Sequence, residues 1–143
     1  MISISRKTIY GVAALYQLSL QKKDAQLSIK EIATHANTPQ RFLEQILLEL
    51  KKHGILKSTK GMHGGYSLLK PLDKITLKEI VLILENNTDP APCKTGNPVL
   101  DHFWKERHRE AMHTMNIPLS QLDGHHIDTT AIHEEKRETP YDI

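Results

Sequence analysis

Gln40, Arg41, Glu44 and Gln45 fall within six residues and supply the side chains that read base edges. Arginine matches guanine O6 and N7, an amide matches adenine, and a carboxylate accepts from cytosine N4. Further along, Lys57, Lys60 and His63 stand among Gly61, Gly64 and Gly65. Cations among glycines suit a tight loop that approaches a phosphate backbone, with the glycines supplying turn geometry more than contact. Ser28 and Thr38 stand where helices should begin, so a hydroxyl or backbone amide there can meet a phosphate. The chain carries no phosphate loop, nucleophile elbow or paired acid/base constellation, which argues against an enzyme.

Charge divides the same way. Residues 1–80 carry a formal +7 and residues 81–143 a formal −5 within the net +2. The basic half can neutralise phosphates that the acidic half would repel. No apolar run approaches the roughly 20 residues of a membrane span, and the N-terminus lacks a signal-peptide core. A cytoplasmic location is expected. The single cysteine, Cys93, precludes an internal disulfide framework.

The elements that must position these residues follow from periodicity. Residues 5–22 read as a helix with Ile9, Val12, Ala13 and Tyr16 on one stripe, Ser5 as N-cap and Lys22-Lys23 at its C-terminus. Gly11 inside it marks a close helix contact. Ser28-Ile29-Lys30-Glu31 is a capping box opening a short helix with Ile29, Ile32 and Ala33 inward. Asn37 suits the break, and Thr38-Pro39 restarts the chain as N-cap and first-turn proline. The next helix runs to about residue 53, buries Leu43, Ile46, Leu47 and Leu50, and stops at Gly54. This is a helix-turn-helix. Residues 55–58 and 66–69 then form a hairpin around a Gly-rich tip, which makes a wing. Thr76-Leu77-Lys78-Glu79 opens another helix, with Leu77, Ile80, Val81 and Leu84 on one face. A last helix from Leu100 to about Met115 carries Leu100, Phe103, Trp104, Ala111 and Met115 on one side. The expected fold is mainly α: a winged helix-turn-helix in residues 1–85, a loop at 86–98, a dimerisation helix region at 99–123 and a polar tail at 124–143.

The run SIKEIATHANTPQRFLEQILLELKKHGILKSTKGMHGGYSLLKP, followed by ITLKEIVLILE, resembles the DNA-binding domain of the Rrf2 family, the group of IscR, NsrR and CymR. The likeness covers about residues 1–122, and FLEQILLELKKHGIL with KSTKGMHGGY is its most specific part. It implies a homodimeric transcription regulator that binds double-stranded DNA, usually as a repressor, with the last helix as the dimer contact. It places a specificity role on Glu44. The wing of the family usually has arginine before the first glycine, where this chain has Lys60, which keeps charge but loses the bidentate fork. A dimer would block polymerase from two half-sites about one DNA turn apart. A related branch acts through a partner enzyme, and a winged helix can also serve protein contact.

Many relatives hold an iron–sulfur cluster on three closely spaced cysteines ahead of the last helix. Here only the first of them remains, as Cys93, so no cofactor is expected. Three readings of Cys93 stay open: a packing thiol, a redox sensor beside Lys94, or an unusual metal site completed by His102 or by another subunit.

Overall fold

The computed structural model describes residues 4–85 and 94–122. The first helix, α1 (Arg6–Ser19), leads into α2 (Ile29–His35) and α3 (Gln40–Lys52). The hairpin β1 (Leu56–Thr59) and β2 (Gly65–Leu68) follows, then α4 (Leu77–Leu84) and α5 (Pro98–Thr114). Two short 3₁₀ turns, Leu72–Lys74 and Leu119–Leu122, were not foreseen. The loop expected at 86–98 falls largely outside the described residues, as do Cys93 and the tail.

Rotation of α1 differs from the expected one. Its buried residues are Thr8, Gly11, Ala14, Leu15 and Leu18. Ile9 is 57% exposed, and Val12, Ala13 and Tyr16 are only half-buried. Gly11 sets this rotation, because a Cβ there would stand 2.4 Å from Leu84 Cδ1 of α4 and 3.4 Å from Ile46 Cγ2 of α3. A Cβ here would have to displace the Leu84 side-chain tip, and glycine lets the three helices meet this closely without that shift. The helix also ends earlier than expected, with Leu20 as C-cap, so Lys22 and Lys23 lie beyond it. Ser5 is the N-cap residue, but its side chain caps nothing and donates instead to Glu85 at the end of α4.

Around this contact Leu15, Ile32, Leu43, Ile46, Leu47, Leu50, Ile55, Ile75, Ile80 and Leu84 form one core. The α3 face is the one its periodicity predicts, and Gly54 ends the helix at φ +75. Burying so many whole aliphatic side chains, at roughly 1.5–3 kcal/mol each, is what fixes α3 against its neighbours.

The start of α4 shows how the chain beyond α5 returns. Thr76 Oγ1 accepts from the Glu79 amide at 3.1 Å, the half of the expected capping box that forms. The Glu79 carboxylate goes to Lys70 Nζ instead, at 3.1 Å. The Leu77 and Lys78 amides, otherwise orphaned at a helix N-terminus, donate to the Ile117 and Met115 carbonyls at 2.9 and 2.8 Å. Leu119 is buried and its amide reaches the Ile75 carbonyl at 2.8 Å, so the end of α5 is tied to α4. No α5 residue is itself buried.

Candidate nucleic-acid interface

The helix-turn-helix begins with a complete capping box. Ser28 Oγ accepts from the Glu31 amide at 3.2 Å, and the Ser28 amide donates to Glu31 Oε2 at 2.7 Å. These bonds hold the Glu31 carboxyl below its usual range, the Ser28 amide being the largest cause and the Ser28 hydroxyl the next. The Ser28 amide is therefore taken by an internal carboxylate, and the hydroxyl, the group remaining for a phosphate, faces the same carboxylate.

Asn37 makes the turn at φ +50, a geometry asparagine tolerates. Thr38 is buried; its amide donates to the Ala33 carbonyl at 3.0 Å and its hydroxyl to the Ala36 carbonyl at 3.1 Å. The expected capping role of Thr38 is corrected, because Pro39 is the cap residue of α3. Thr38 locks the turn with donors that a phosphate would have needed.

No side chain caps the N-terminus of α3, in contrast to α2 and α4. Gln40, Arg41, Glu44 and Gln45 are all exposed over its first two turns. The Phe42 amide donates to the Pro39 carbonyl at 3.1 Å, and the Gln40 and Arg41 amides with the positive end of the helix dipole suit an anion or a base edge. Gln45 Nε2 donates to Glu49 Oε1 at 3.0 Å, which holds that amide along the helix flank.

The wing is anchored to the same body. β1 and β2 pair antiparallel from Leu56↔Leu68 to Thr59↔Gly65, one residue off the expected limits. Leu27, just before α2, bridges Tyr66 through bonds of 3.0 and 2.7 Å, and Gln26 Nε2 donates to Thr59 Oγ1 at 2.8 Å. Gly65 permits this, since a Cβ there would lie 2.4 Å from the Leu27 carbonyl oxygen. At the tip Gly61 adopts φ +115, and a Cβ on Gly64 would lie 2.2 Å from the Thr59 carbonyl oxygen. Lys60, Met62 and His63 are exposed on that tip. Lys57 faces elsewhere: opposite Ser67, it lines a cleft of about 690 Å³ with Lys22, Lys23 and Lys70. It is therefore grouped with the loop after α1, not with α3.

Two features escape the sequence reading. Phe42 is 45% exposed on α3, and Arg6 and Lys7 at the start of α1 border a cleft of about 450 Å³ with Tyr10, Arg41 and Phe42. An aromatic out of phase with the Leu43–Ile46–Leu47–Leu50 stripe was the available signal for it.

Leu100, Phe103 and Trp104 are all about half exposed on α5, the two rings edge-to-face at 5.1 Å, while Ala111 and Met115 are half-buried. Asn97 caps this helix through the Val99 and Leu100 amides. Among the described residues no helix is long and apolar enough to cross a membrane.

The family of Rrf2 proteins, described as iron-dependent transcriptional regulators, matches residues 4–122. A Rhodobacter capsulatus HTH-type transcriptional regulator of rrf2-like type is 42% identical over 93 residues, which span 63% of this chain and 62% of that relative. The match thus extends over less than two thirds of that protein. CymR of Bacillus subtilis is 34% identical over 104 residues, covering 72% of this chain and 75% of CymR. The solved structure of that CymR, the global cysteine regulator of its organism, superposes with TM-score 0.73 at 27% identity over 89% of this chain and 100% of CymR. IscR of T. potens gives TM-score 0.68 at 26% identity, covering 96% and 93%. The chain belongs to the Rrf2 family of transcriptional regulators.

Proposed function

We propose that the protein is a cytoplasmic, sequence-specific DNA-binding transcription regulator that acts as a homodimer and represses by occupying its operator. The observation that carries this reading is the uncapped, exposed N-terminus of α3, with Gln40, Arg41 and Glu44, in one packed domain with a wing whose tip carries Lys60. In this reading α3 enters the major groove, Lys60 and the glycine tip follow the backbone, and Ser28 offers a hydroxyl to phosphate. Thr38 serves by shaping the turn.

The dimer contact is assigned to α5. Leu100, Phe103 and Trp104 form an aromatic-rich patch that the chain's own core leaves open, and a second copy would cover it isologously.

The three-cysteine site that would hold an iron–sulfur cluster is not present in this sequence. A cysteine-held cluster takes up to four thiolates, and the sequence holds one cysteine. Among the described residues no group of three His, Cys, Asp or Glu side chains is placed to hold a metal ion.

The test is duplex binding by the full-length protein as a function of salt, with sedimentation to give the oligomeric state. Affinity that falls steeply with salt and a selectable consensus support the reading. Absence of any duplex binding at low salt would overturn it.

A further inference from the structure

Position 41 points away from the buried face of α3, where a base-reading side chain would stand. The Arg41 guanidinium nevertheless lies over the neighbouring Phe42 ring, 4.9 Å from its centroid. Phe42 leans in turn on Tyr10 of α1, their ring centroids 5.9 Å apart. Arg41, Phe42 and Tyr10 thus share the α1–α3 cleft, whose rim carries Arg6 and Lys7. Three cations border one apolar-floored cleft. None of the three has a carboxylate within 4.0 Å among the described residues. The nearby Glu85 carboxylate is held by Ser5 and Thr8.

A guanidinium stacked on a ring has one face covered and its N–H edge free. Beside two further cations, that edge suits the spread charge of a phosphodiester. Gln40 and Glu44 stand one turn apart on the flank of α3 opposite Phe42, and both are exposed. Their position leaves them to meet base edges. We propose that Arg41, with Arg6 and Lys7, clamps a DNA phosphate and sets the register of α3, while base choice rests with Gln40 and Glu44. Phe42 is the positioning residue that holds the guanidinium over the cleft. This division of labour rests on the DNA-binding reading above and replaces guanine recognition by Arg41.

The experiment selects a consensus from a random duplex pool with the full-length protein. Affinity for that consensus and for a scrambled duplex is then followed against salt. Arg41→Ala should return the same consensus and weaken both duplexes by the same factor, about fivefold, with the salt slope reduced by about 0.9. Arg41→Lys should restore the slope, and Phe42→Leu should weaken both duplexes together without altering the consensus. Glu44→Ala should change the consensus. A changed preference at one base with scrambled-duplex affinity intact in Arg41→Ala overturns the clamp, as does no change at all. A wild-type protein that binds no duplex overturns the DNA-binding reading itself, an outcome distinct from either of those.

Discussion

Removing the Glu85 carboxylate tests how the start of α1 is held. Glu85 Oε1 accepts from the Ser5 amide at 2.8 Å, the Ser5 hydroxyl at 2.7 Å and the Thr8 hydroxyl at 2.6 Å, across about 80 residues of sequence. Burial raises the Glu85 pKa, but the Thr8 and Ser5 hydroxyls, the Ser5 amide and Lys7 outweigh it and leave it below the ordinary 4.5. Thr8 is 1% exposed, so its hydroxyl has no water to turn to once the carboxylate is gone. A hydrogen bond to a charged group is worth about 1.5–3 kcal/mol, and an unsatisfied buried donor costs about 1–3 kcal/mol. The Ser5 groups recover most of their loss from solvent. Glu85→Ala should therefore lower stability by about 2–3 kcal/mol, or the melting temperature by about 6–9 °C for a chain of this size. Glu85→Gln keeps an acceptor without the charge and should lose about 1 kcal/mol. Because the folded pKa is depressed, this stabilisation is complete above the unfolded pKa and disappears as pH falls through the folded value. The gap between wild type and Glu85→Gln should be constant from about pH 5 to 7 and close at more acid pH. Urea unfolding at fixed protein concentration measures it, with Thr8→Val completing a double-mutant cycle. A loss under about 0.5 kcal/mol for Glu85→Ala, or additivity with Thr8→Val, would refute this account.

Other perturbations bear on the wing, the dimer and the cysteine. Gly65→Ala puts a Cβ against the Leu27 backbone, which cannot yield as a side-chain tip can. It should cost about 2–4 kcal/mol in urea unfolding and weaken DNA binding, and unchanged unfolding would show that the wing docks otherwise. Trp104→Asp should give monomers in sedimentation velocity, and a tight dimer that survives would remove α5 from the interface. Lys60→Ala should reduce the salt slope of duplex binding by about 0.9 while leaving the consensus alone; an unaltered slope would take Lys60 off the backbone. Protein purified anaerobically should be colourless and free of iron. A coloured, iron-bearing dimer would put His102 under test beside Cys93 as a ligand.

Much of this protein was legible in local patterns because those patterns carry their own physics. The α3 stripe predicted its core face because four aliphatic residues at 3–4 spacing can be buried together in only one way. Ser28 with Glu31, Asn37 and Gly54 announced helix ends because each satisfies a backbone demand within a few residues. The exposed polar set on α3, Gln40, Arg41, Glu44 and Gln45, was legible because it is what remains on that helix once the apolar face is assigned. Sequence alone could not orient α1, whose apolar residues fill two faces. The winning face was chosen by the Gly11 approach to Leu84 and Ile46, residues 73 and 35 positions away. Nor could it show that Lys57 lines a cleft away from the wing tip that carries Lys60, that Arg41 lies on Phe42 beside Arg6 and Lys7, or that Glu85 and not Ser5 holds the start of α1. The sequence determined which segments are helices and hairpin, and the stop of α3 at Gly54 though not the end of α1, since those are short-range backbone requirements. Tertiary structure alone decided which faces meet and which charges gather, because close packing and long-range hydrogen bonds are chosen only when distant segments compete for the same space.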